Sequence, residues 1–83
     1  MMDDRKRQQN ERTFEAWEEL PAGGRLYWYA VEGRFGWTAR YVKAVDADER
    51  TVRFQQEIYD DRGALQEIHQ KYTEDLGHQK VGR

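Results

Sequence analysis

Polar and apolar positions alternate along this chain with two different periods. Phe14, Trp17 and Leu20 recur every third residue with Glu15, Glu18 and Glu19 off their line, the spacing of a short amphipathic helix. Asn10 has the side chain to cap its start, with Thr13 as a second candidate. Pro21 and the pair Gly23-Gly24 end it, because proline disfavours helix in the preceding residue and glycine accepts turn conformations. From Arg25 onward the period becomes two, which predicts strands.

The turns set the expected register. Gly33-Arg34 fits a two-residue hairpin loop in which glycine takes the positive φ. Glu32 would then face Phe35, Ala30 would face Trp37, Trp28 would face Ala39 and Leu26 would face Tyr41. Large residues meet small ones on one side in this register. Residues 47–50 read as a four-residue loop that brings Val45 opposite Val52. Asp60, Asp61, Arg62 and Gly63 read as a type I turn closed by a left-handed glycine, followed by a fourth strand. Leu65, Ile68, Tyr72 and Leu76 also fit helical spacing, with Gly77 at the position of a C-terminal cap, so a helix in residues 64–76 is the alternative. The expected fold is α+β: a short N-terminal helix on a four-stranded antiparallel meander, covering residues 13–76. Residues 1–12 and 77–83 are expected to be flexible tails.

Residues 24–41 carry six of the eleven aromatic side chains. In this register Trp28, Trp37 and Tyr41 point to the core, beneath the helix. Tyr27, Tyr29, Arg40 and Arg53 fall on the opposite face, with Tyr27 beside Arg40 in position for a cation–π contact. Aromatic and arginine side chains anchor many protein interfaces, so these four residues form the candidate binding surface. Glu57, Glu67 and His69 share that face, with the two glutamates directly opposed. Like charges in that position are destabilising unless a cation or a shared proton relieves them. A base, an acid and phosphate-binding cations are sufficient for metal-independent RNA cleavage, so Glu57, Glu67 and His69 are the candidate catalytic set.

Composition limits the alternatives. Eighty-three residues make a single domain with a small core, in which a partner or a second copy would add to stability. The mean hydropathy of -1.17 leaves no apolar run long enough for a membrane helix. Cysteine and serine are both absent, which removes disulfides, thiolate metal sites and the usual acyl-transfer nucleophiles. His69 and His78 match no metal-ligand spacing, and no phosphate-binding glycine loop is present, so no metal or cofactor is expected. The opening "MMDDRKRQQNER" has no apolar segment behind its charges, so no secretory signal is expected and a cytoplasmic location follows. The net charge is -2. Residues 24–45 carry four basic residues against one acidic, and residues 46–63 carry six acidic against three basic. Neither block has the positive excess of a nucleic-acid footprint, so no DNA binding is expected.

The segment "EIYDDRGALQEIHQKYTEDLGH", with the earlier "YWY" and "GW", resembles a family of small prokaryotic proteins grouped as a domain of unknown function, over roughly residues 24–78. That resemblance brings no activity with it. A helix followed by a four-stranded meander is also similar to the RelE-like toxins, which cleave messenger RNA; this chain departs from them in its single short helix and acidic balance. The function expected from the sequence is a non-enzymatic module that binds a protein partner or itself. The alternative is a RelE-like ribonuclease, with RNA as its partner.

Overall fold

The computed structural model describes residues 2–72 and 77–81. Helix α1 (Asp4–Phe14) is followed by strands β1 (Ala16–Glu19), β2 (Arg25–Glu32), β3 (Thr38–Val45), β4 (Thr51–Tyr59), β5 (Leu65–Tyr72) and β6 (Gly77–Lys80). The strands lie in chain order in one sheet, each antiparallel to the next. The α+β class and the meander match the expectation, and Leu65–Tyr72 is a strand rather than a helix. The described residues form six strands, not four. Gly77–Lys80, expected as tail, pairs with β5 from Gln70↔Gly77 to Glu67↔Lys80. The expected domain boundary at residue 76 lies outside the described residues.

The helix is displaced from its expected place. Asp3 caps it, its carboxylate accepting from the backbone N–H groups of Arg5 and Lys6 at 3.1 and 3.2 Å. Glu15, at φ 66°, closes it in the left-handed conformation and donates its N–H to the Glu11 carbonyl. Most of the stretch expected as a flexible tail is therefore helical, and the expected helix at Trp17 is an edge strand. Apolar periodicity missed α1 because the face it turns to the sheet is mostly polar. Arg7, Asn10, Glu11 and Phe14 stand at i, i+3, i+4 and i+7, and only the last is apolar. Phe14 is 5% exposed and packs on Tyr27 and Tyr29, with ring centroids 5.7 and 5.5 Å away.

The β2–β3 register also differs. The loop is longer than two residues: Gly33 donates to the Trp37 carbonyl, and Phe35 and Gly36 both have positive φ. Glu32 therefore faces Thr38, Ala30 faces Arg40 and Trp28 faces Val42. The pairing has moved by three residues, an odd number, and side chains alternate with period two, so the two faces of β2 exchange roles while Tyr41 and Arg40 of β3 keep their expected sides. Tyr27 and Tyr29 lie under the helix with Tyr41 and Val45. Trp28 and Arg40 lie on the other face.

All four described hairpins close over five residues, from Leu20 to Gly24, Gly33 to Trp37, Asp46 to Arg50 and Asp60 to Ala64. The last is the turn expected from the sequence: Asp60 accepts from the N–H groups of Arg62 and Ala64, and Gly63 has φ 80°. Asp46 repeats the arrangement, accepting from Asp48 and Arg50 at 2.9 Å each. The fourth loop position has positive φ in every hairpin. Gly23, Gly36 and Gly63 occupy it in three, and Glu49 in the other, at φ 67°. A side chain in that conformation costs about 1–2 kcal/mol.

Glu49 is held there by what its carboxylate does. It is 2% exposed and accepts from Arg7 Nε at 2.9 Å, from Asn10 Nδ2 at 3.1 Å and from the Tyr27 hydroxyl in a short bond. One side chain thus joins the β3–β4 hairpin to the helix and to β2. Replacing it leaves two buried donors, Asn10 and Tyr27, without their acceptor, at roughly 1–3 kcal/mol for each, and removes the ion-pair partner of the partly exposed Arg7. Glu49→Ala should therefore lower unfolding stability by about 3 kcal/mol or more in a urea titration. Glu49→Gly, which also loses the carboxylate but relieves the backbone, should be the more stable of the two by about 1 kcal/mol. The reverse order would show that backbone strain at residue 49 is unimportant.

Candidate functional site

The structure separates the residues expected to form the binding surface. Tyr27 is fully buried, and Tyr29 stacks on Tyr41 at 4.9 Å beneath the helix. Arg40 and Arg53 lie on the far face. Arg40 sits 5.3 Å over Trp28, so the expected pairing with Tyr27 does not form. Its place over Tyr27 belongs to Arg25, which lies 5.9 Å from that ring and 5.0 Å from Trp17. Arg25 also bonds Glu11 at 2.7 Å, a second tie between α1 and β2.

The expected catalytic set is divided as well. Glu57 faces Ile68, and Glu67 faces Ile58, so the two glutamates point to opposite sides of the sheet. His69, opposite Gln56, shares the helix side with Glu67. Glu57 lies across from Arg40 and is held by Gln55 and the Tyr59 hydroxyl at 2.8 Å each. Burial, then the bond to Glu57, raises the Tyr59 pKa. These are the contacts of a satisfied carboxylate within a sheet face, and they do not bring Glu57 to His69.

The helix side holds a different feature. α1 covers β1 and β2 and leaves the β4–β5 part of that face open. A cleft of about 650 Å³ lies at its margin. Four cations line it: Lys6 from the helix, Lys43 from β3, Arg50 from the β3–β4 hairpin and Lys71 from β5. Phe14, Phe54 and Tyr72 form its aromatic part, and its lining contains no carboxylate among the described residues. A neighbouring hollow of about 340 Å³ shares Lys6, Lys43 and Thr51 and continues along the helix to Gln9, Asn10 and Thr13, with the buried carboxylate of Glu49 in its lining.

Two irregularities in the sheet build this wall. Phe54 pairs with Tyr72 and Gln55 with Gln70, leaving Lys71 as the extra residue of a bulge. Lys71 and Tyr72, which regular alternation would send to opposite faces, both reach the cleft. Lys71 Nζ lies 5.6 Å above the Tyr41 ring, a contact that orients it. Val45 pairs with Thr51 and Ala44 with Arg53, which makes Val52 the extra residue of a second bulge and puts Thr51 and Phe54 on the cleft side.

The electrostatics follow from these positions. Lys43 Nζ donates to Asn10 Oδ1 at 2.9 Å. Its pKa is lowered by burial and by the nearby charge of Lys6, against the attraction of Glu49. Beneath it, burial pushes the Glu49 pKa up, but hydrogen bonds from Tyr27, Asn10 and Arg7 and the charge of Arg7 outweigh burial, so the net shift is downward. Burial and the bond to Glu49 push Tyr27 up to about 12.

No family model, curated protein or solved structure matches this chain. The residues and their geometry alone carry the assignment of the site. Sequence reasoning missed the cleft because its four cations come from four separate elements, and because its two neighbours Lys71 and Tyr72 meet only through a bulge.

The two shifts in the buried cluster have opposite signs. The Tyr27 pKa is raised on folding, so its contribution to stability is complete below about pH 10 and is lost as pH rises toward about 12. The Glu49 pKa is lowered, so its contribution is present above the ordinary glutamate range and is lost as pH falls through the depressed value. Urea midpoints followed across pH should show both limbs. Tyr27→Phe should abolish the alkaline one, and an unchanged alkaline limb in that variant would mean that another group controls it.

Proposed function

We propose that this protein is a non-enzymatic binding module and that it receives an anionic partner in the cleft between α1 and the open part of the sheet. The observation that carries the reading is the convergence of Lys6, Lys43, Arg50 and Lys71 on one aromatic-lined cleft whose lining has no carboxylate among the described residues. Cations grouped in a cleft with low-dielectric walls focus their field, so the site attracts anions although the chain is acidic as a whole. Glu57 lies on the opposite face from Glu67 and His69, so the three residues of the candidate catalytic set do not assemble together.

Retention on immobilised heparin, a polyanion of no particular sequence, tests this. Wild type should bind and elute at a defined salt concentration. The double variant Lys6→Glu/Lys71→Glu should elute much earlier, with its circular dichroism unchanged. Arg34→Glu/Arg62→Glu makes the same change in net charge at two exposed loop positions away from the cleft and should elute close to wild type corrected for charge. Failure of wild type to bind, or equal losses in the two doubles, would overturn the reading.

A further inference from the structure

We infer, resting on the proposed anion-binding role, that the ligand of the cleft is a single-stranded nucleic acid segment, held by its phosphates on the lysines and by a base stacked on Tyr72. Sequence-tolerant binding of single strands combines two elements: cations that follow the backbone and aromatic rings on which bases stack. The cleft has both, and it has them side by side. Tyr72 is 44% exposed and is the open ring of the three, with Phe14 buried beneath and Phe54 across the strand pair. The bulge at Lys71 sets a phosphate-reaching ammonium next to this ring on the same side of the sheet.

Three of the four cations are lysines, which bind phosphate as point charges. An acidic peptide would leave the Tyr72 ring without a flat partner. Lys6, Lys43 and Thr51 also line the second hollow along the helix, but Glu49 lines it too, so the phosphate-binding part of the site is the first cleft. A volume of about 650 Å³ lies in the range that encloses small ligands, the scale of a nucleotide rather than of a folded domain.

The test is fluorescence anisotropy of the full chain with a labelled short oligo-uridylate, a labelled oligo-thymidylate and a labelled poly-glutamate peptide. Both oligonucleotides should bind, and the peptide should bind at least tenfold more weakly. The ratio between the two oligonucleotides distinguishes an RNA ligand from a DNA ligand. The logarithm of affinity should fall with the logarithm of salt with a slope of about -2 to -3, as expected when three or four phosphates of a single strand are neutralised. Tyr72→Ala should weaken oligonucleotide binding by roughly 5- to 150-fold, the range measured for loss of one stacking ring. Tyr72→Phe, which keeps the ring, should restore binding.

If poly-glutamate binds as tightly as the oligonucleotides and Tyr72→Ala changes neither, the nucleic acid inference falls while the anion-binding role stands. If none of the three polyanions binds, both fall. Tyr72 is partly exposed at the cleft margin, so a folded Tyr72→Ala is expected, and its circular dichroism checks this.

Discussion

A single buried carboxylate holds the two layers of this molecule together. Glu49 reaches from a hairpin loop, in a backbone conformation that its three counterpart loops assign to glycine, and accepts hydrogen bonds from α1 and β2 at once. The left-handed conformation costs about 1–2 kcal/mol and burial of the charge costs more. Three donors satisfy the carboxylate and offset both. The contact also fixes geometry: a carboxylate with three partners in definite directions admits one position of the helix over the sheet, where an apolar contact would tolerate sliding.

That constraint explains why the helix side is only partly covered. α1 spans 11 residues, and its inward stripe is polar except for Phe14, so it seats where its polar partners are: Arg25 on β2, Lys43 on β3 and Glu49 in the loop. β4 and β5 have no such partners to offer. Their helix-side surface stays open, and the margin between covered and open sheet becomes a cleft. Its cations follow from the same arrangement. Lys6 lies on the helix flank beside the inward stripe, and Lys43 already belongs to the cluster that seats the helix. The cluster that seats the helix and the wall of the cleft thus share residues.

The legible parts of this fold were those set by local chemistry. An aspartate that accepts from the N–H groups two and four residues on, followed by a left-handed glycine, defines the turn at Asp60–Gly63 without help from the rest of the chain, and it correctly made β5 a strand. The same turn at Asp46 was obscured because Glu49 stands where the glycine should be. The helix was hidden for a related reason: apolar periodicity detects helices that bury apolar faces, and this one turns Arg7, Asn10 and Glu11 toward the sheet. The error with the largest consequence was the register of β2 and β3. A loop misjudged by three residues exchanged the two faces of β2 and put Tyr27 and Tyr29 on the surface, when they are the centre of the core.

Charge reasoning along the chain failed at the site for a physical reason as well. Local excesses of basic residues report a binding surface only where one segment forms it. Here each cation comes from a different element, separated in sequence by acidic stretches whose side chains are directed elsewhere: Asp46 and Asp60 are engaged with their own loops, and Glu49 is neutralised in the core. Subtracting such carboxylates from the lysines gives a net charge that no approaching ligand meets. An anion at the cleft would respond to the charges within about a Debye length, roughly 8–10 Å at moderate salt, and the charges nearest it are the four lining cations, with Glu49 beneath Lys43 already paired to Arg7.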